Sequence, residues 1–174
     1  MPPTAPSLQS LYEESPSSQA THHLHSFPDE ARAQIGTEGE SRHISNLLPE
    51  TGACVLVTVH DLVDDARGIR RVVDKVGSPK QVFAATCSQP SYGETFRTSI
   101  DWAKKIGHAG EVILVSHELA ALLGAQAHHG RLRNGIVIVH DGKIVWSKMA
   151  DVHRPNTPHL TGSDFDEAFD RYNR

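Results

Sequence analysis

His60 and Asp61 stand side by side where an apolar run gives way to a helical pattern, a place suited to acid–base chemistry. An imidazole can take or give a proton near neutral pH. The positive end of the following helix would favour the neutral form that a general base needs. The alternative is a loop or capping histidine that only bonds backbone. Arg133 precedes a strand pattern with no acid beside it in sequence, and a guanidinium is a natural clamp for an anion or a polarised carbonyl. A surface salt bridge is its competing reading. His117, with Glu118, follows a third apolar run and would either line the same edge or simply begin a helix. Cys87 follows a second apolar run as a loop thiol, a candidate nucleophile without an adjacent Lys or Arg to activate it.

The elements that must position these residues follow from periodicity. Residues 54–59 (CVLVTV) form a continuous apolar run, as in a strand buried on both faces of a parallel sheet. Asp61 is the expected N-cap of a helix in which Leu62, Ala66, Ile69, Val73 and Val76 recur at helical spacing, closed by Gly77-Ser78-Pro79. Residues 81–86 (QVFAAT) and 111–115 (EVILV) are further strands. Helices are expected over 93–106 and over 117–123, the latter closed by Gly124. The segment RNGIVIVHDGKIVW reads as a β-hairpin turning at Asp141-Gly142. Ser163 is expected to cap a last helix carrying Phe165, Phe169 and Tyr172. The order is β-α-β-α-β-α-β-β-α, an α/β fold with a mixed sheet and helices on both faces. No Gly-rich turn follows the first strand to cradle a phosphate.

Bulk properties narrow the function classes. The 174 residues suit a domain over 41–174 behind an extension over 1–40, rich in Pro, Ser, Glu, Gln and His and partly disordered, with a short helix near 8–14. A net charge of −4 without a basic stripe disfavours nucleic acid. No apolar run reaches the roughly 18 residues of a membrane span, and no secretory signal is evident, so the expectation is a cytoplasmic protein. Two cysteines make no disulfide scaffold. Twelve histidines invite metal readings, at His22-His23-Leu24-His25 and at His128-His129 with His60. Their scatter lacks ligand spacing, so no metal is expected. No fingerprint for flavin, nicotinamide or haem is present, and no cofactor is expected.

From about residue 44 to 146 the chain resembles the alkyl hydroperoxide reductase/thiol-specific antioxidant superfamily, the peroxiredoxins, built on the thioredoxin fold. The resemblance rests on HISNLLPETGACVLVTV, on IDWAKKIG followed by VILVSHELAALLGA, and on RNGIVIVHDGKI. It implies that Arg133 matches the family's active-site arginine and that the protein pairs as a homodimer. The family carries Pro, then Thr or Ser, then the peroxidatic Cys after the first core strand. Those positions fall here on Asp61, Asp65 and Gly68, and no cysteine lies between Cys54 and Cys87. The resemblance thus implies a peroxiredoxin-like protein without its peroxidatic cysteine, with Asp65 a substrate-binding candidate in place of a hydroxyl. His140-Asp141 reads as a structural turn. Three functions remain open. The first is a repurposed small-molecule enzyme using His60 and Asp61 with an Arg133 clamp. The second is a thiol oxidoreductase using Cys87, and the third a non-catalytic dimeric binding protein.

Overall fold

The computed structural model describes residues 25–62, 65–87, 97–98, 100–102, 105, 110–126, 131–150 and 162–174. Among them, eight strands form one sheet: β1 (His25–Ser26), β2 (Arg32–Ile35), β3 (Arg42–His43), β4 (Ala53–Thr58), β5 (Val82–Cys87), β6 (Glu111–Val115), β7 (Gly135–His140) and β8 (Lys143–Met149). Their spatial order is β1-β8-β7-β4-β5-β6-β2-β3. Strands β4, β5 and β6 run parallel, and β7 and β8 lie antiparallel beyond β4. The α/β architecture with a mixed central sheet is therefore as the sequence indicates.

The apolar runs become central strands because both their faces are covered. Along β4, Cys54 and Leu56 enter one core and Val55 and Val57 the other. Helix α1 (Ala66–Val76) and helix α3 (Gly162–Tyr172) cover the second face with Ile69, Val72, Ala168 and Phe169. The first face receives Leu119 and Ala120 of helix α2 (His117–Leu122), together with Ile44 and Leu48. Lys148 of β8 donates to the Asp164 carboxylate of α3, and Tyr172 Oη donates to Gln81 Oε1 at 2.8 Å. These contacts fasten α3 across the sheet.

The hairpin turn is as its residue types predict. Asp141 and Gly142 both have positive φ, 50° and 77°, as a tight hairpin turn demands. Asp141 also accepts the Gly52 N–H at 2.7 Å and donates its own N–H to Gly52 O at 2.9 Å. The turn thereby holds the entry to β4, a structural role.

Several local expectations are corrected. Within the extension expected over 1–40, β1 and β2 join the sheet, with β2 pairing to β6 through Ala33 and Val115. The segment is secured where Ile44 N–H donates to Ala31 O and His43 Nε2 lies 2.8 Å from Pro28 O. Helix α1 starts at Ala66 rather than Leu62, and its N-cap is Asp65, not Asp61. The reason is that Asp65 turns its carboxylate back onto the Asp61 N–H instead of forward onto the helix. Ser163 lies inside the first turn of α3, not ahead of it. The expected helix near 8–14, the histidines 22, 23, 128 and 129, and the full extent of the helix over 93–106 lie outside the described residues. No described helix is long and apolar enough to cross a membrane.

Candidate functional site

Parallel β4 and β5 end on the same edge of the sheet, while β7 begins there, so the chain leaving β4 meets the chain entering β7. Thr58 pairs with Gly135, and the Thr58 hydroxyl donates to Arg133 O at 2.8 Å. Such an edge, beside a strand whose two neighbours are reached in opposite directions, is where open α/β sheets bind ligands.

Five polar side chains converge there. Arg131 Nη1 lies 3.1 Å from His60 Nε2 and 3.8 Å from Asp61 Oδ2. A guanidinium only donates, so His60 Nε2 must present a lone pair, and the imidazole in this arrangement is neutral. Beneath this contact lies a firmer one. Asn134 Oδ1 accepts the His60 N–H at 2.7 Å, and its Nδ2 donates to Asp65 Oδ1 at 2.9 Å. The other Asp65 oxygen accepts the Asp61 N–H at 2.8 Å. Asn134 is 5% exposed and Asp65 8%. Two buried side chains thus hold the backbone of both acid–base candidates, from opposite ends of the chain segment.

The six residues singled out from sequence fall into distinct places. His60, Asp61 and Asp65 are brought together. Asp65 acts as a buried brace, accepting the Asp61 N–H with one carboxylate oxygen and the Asn134 Nδ2–H with the other. Arg133 sits just ahead of β7, half-buried, and its guanidinium makes no hydrogen bond or ion pair with any described residue. Its backbone is committed instead, the N–H donating to Ala125 O at 2.6 Å. His117 is exposed in the first turn of α2, after β6 on the same sheet edge, and Ser116 rather than His117 caps that helix. Cys87 is the last residue of β5, not a loop residue, because it pairs with Val115 of β6. Arg131 and Asn134 escaped sequence reasoning. Only their nearness in sequence to Arg133 hinted at them.

Both thiols are free and buried in the same core. Burial pushes the Cys87 thiol up to about 11 and the Cys54 thiol up to about 12, from an ordinary value of 9.0. At pH 7 Cys87 is then a thiolate in only about one molecule in ten thousand. The stability consequence has a definite sign. Each folded thiol has a raised pKa, so its contribution is complete below pH 9 and is lost as pH rises through 11 to 12. Burial also pushes up the Tyr172 hydroxyl, with Cys54 adding to the effect in the same direction. Resistance to urea unfolding is therefore expected to weaken above pH 9, by up to about 1.4 kcal/mol per pH unit per thiol. A Cys54→Ala, Cys87→Ala double variant should show a shallower decline, and an equal slope in both proteins would contradict the burial argument.

Among the described residues, no three His, Cys, Asp or Glu side chains cluster as metal ligands would.

No family model matches this sequence, and no curated protein matches it. Solved structures do. The reduced Prx3 of Vibrio vulnificus superposes with a TM-score of 0.52 at 11% identity, over 87% of this chain and 97% of that one. The same protein in complex with hydrogen peroxide gives a TM-score of 0.50 at 12% identity, over 86% and 95%. A mutant of the peroxiredoxin 6 of Arenicola marina gives 0.51 at 17% identity, over 85% and 72%. At these identities the likeness speaks for the backbone and nothing further. With the sheet order and the helices on both faces, it establishes that this chain has a peroxiredoxin-like thioredoxin fold.

Proposed function

We propose that this protein is a small-molecule enzyme on a peroxiredoxin-like fold, working by acid–base chemistry at His60 instead of by a peroxidatic thiolate. The observation that carries the reading is the contact of His60 Nε2, at the end of β4, with the Arg131 guanidinium at 3.1 Å, which a neutral imidazole makes by accepting. A neutral imidazole beside a carboxylate, at the ligand-binding edge of a sheet, is the equipment of a general base. Asp61 lies against the same guanidinium and steadies the positive charge that His60 acquires on taking a proton. Arg133, half-buried and with no protein counter-charge among the described residues, is the clamp for an anionic or carbonyl group.

The thiol reading through Cys87 has less support. Cys87 is 3% exposed and packed among core residues, and burial shifts its pKa away from the nucleophilic range. Matched to the strand that precedes the peroxidatic cysteine in peroxiredoxins, β4 is followed by no cysteine before Cys87.

Thiol-dependent consumption of hydrogen peroxide and of an organic hydroperoxide tests the choice. Wild type and Cys87→Ser are both expected to stay at the uncatalysed background. Turnover that disappears in Cys87→Ser would replace this reading with a thiol peroxidase. Any hydrolytic or isomerising activity found on carbonyl compounds should fall by about 10²–10⁴-fold in His60→Ala. Self-association without any turnover would favour a binding protein. The reading includes a homodimer, and sedimentation at the mass of one 19.0 kDa chain would remove that part.

A further inference from the structure

Taking His60 as the base, we propose that Arg131 couples release of that base to substrate binding, and that the substrate carries a small oxyanion, a carboxylate or a phosphate. A single guanidinium touches both members of the acid–base pair, His60 Nε2 at 3.1 Å and Asp61 Oδ2 at 3.8 Å. While His60 Nε2 accepts that N–H, the same lone pair cannot take a proton from a substrate. Arginine cannot be the acid in its stead, because the guanidinium does not lose its proton in proteins. Catalysis at His60 therefore requires the guanidinium to leave Nε2.

What displaces it must compete with the imidazole for the Arg131 Nη1 donor. An oxyanion does so, because its two oxygens match the planar fork with parallel, charge-assisted hydrogen bonds. The 3.8 Å contact with Asp61 is longer than a hydrogen bond. Arg133, two residues along, adds a second positive charge at the entry to β7. A cationic or purely apolar molecule would gain nothing from either.

The parts that stay and the part that moves are distinguishable. The His60 and Asp61 backbones are held by Asn134 and Asp65, which are buried and bonded to each other. Leu132 is fully buried and bridged to Gln126, so the main chain beside Arg131 is anchored. The Arg131 side chain is long and 27% exposed, and its swing needs no change in the sheet. Binding of the oxyanion would thus turn Arg131 from a cap on the base into a holder of the substrate, leaving His60 Nε2 facing the bound molecule.

The test is a titration of the full chain with sodium acetate and, separately, with inorganic phosphate at constant ionic strength. The ¹⁵N signals of the His60 ring are followed, assigned against His60→Gln. At least one anion is expected to give a saturable shift of the Nε2 signal that sodium chloride does not reproduce. In Arg131→Gln the affinity should fall at least tenfold, and Arg131→Lys, which keeps the charge without the fork, should also bind more weakly. His60→Gln should still bind the anion by calorimetry. A response to acetate alone assigns a carboxylate substrate, and a response to phosphate alone a phosphate. Binding unchanged in Arg131→Gln, binding that leaves the His60 signals in place, or no saturable response to either anion would overturn the proposal. Those results leave the acid–base reading standing, because that reading fails on a different result, turnover that survives His60→Ala.

Discussion

Asn134→Leu is expected to lower the unfolding free energy by about 3–5 kcal/mol, read from the urea midpoint at neutral pH. The size of the effect follows from what the carboxamide holds apart and together. Its Nδ2 donates to Asp65 Oδ1 at 2.9 Å and its Oδ1 accepts the His60 N–H at 2.7 Å, in a setting where Asn134 is almost wholly buried. Leucine matches its volume but offers neither group. A buried carboxylate then loses a donor and a buried backbone N–H loses its acceptor, each worth about 1–3 kcal/mol and more where a charge is involved. Asn134→Asp separates the electrostatic part. It places a second carboxyl against Asp65, and two such groups cannot both ionise cheaply. One of the pair would have its pKa raised in the folded state, so the lost stability should return as pH falls through that raised value and be complete once pH reaches the ordinary carboxylate range. If Asn134→Leu unfolds within about 1 kcal/mol of wild type, the brace is not a structural element and the site argument weakens with it.

Gly135→Ala is the second large effect, a loss of about 3 kcal/mol from overpacking. Gly135 opens β7, opposite Thr58 on one side and Met149 on the other. A methyl group there would collide with Met149 Sδ and would lie 2.6 Å from Lys148 O. The sulfur belongs to a flexible side chain, although the Thr58 hydroxyl oxygen lies against it at 3.4 Å and limits where it can go. The carbonyl belongs to β8 and cannot move without loosening the hairpin. Combining Gly135→Ala with Met149→Ala should therefore be less damaging than the sum of the two, by about 1 kcal/mol, without restoring the single Met149→Ala level. Full relief in the double variant would show that the sulfur alone sets the cost.

Much of the fold was legible because its signals are local. The strand over 111–115 coincides with β6, the run over 54–59 is offset from β4 by one residue, and Asp141-Gly142 turns where its residue types require. Continuous apolar runs and positive-φ turn residues need no knowledge of distant partners. Strands β2 and β3 had no such signal. Their sequences, RAQI and RH, are short and largely polar; β2 becomes a strand because β6 offers an open edge at Val115, Leu114 and Ile113, and β3 because β2 then offers its own. Cys87 was misplaced by one residue for a similar reason, since its pairing with Val115 extends β5 beyond the apolar pattern.

Residue types alone were enough to pick out His60, Asp61 and Arg133, and to order the central strands and helices that carry them, while Asp65 was singled out only through the family resemblance. They could not say which arginine meets the histidine. Arg131 and Arg133 have the same chemistry and lie two positions apart, and the choice depends on how β7 enters the sheet beside β4. Nor could they reveal that Asp65 braces the site from below. Its partner Asn134 is 69 residues away in sequence, and Arg131 is 71 residues from His60. Contacts over such separations leave no periodic trace in the chain, because they are created only when β4 and β7 pair and bring the two ends of the site to one edge.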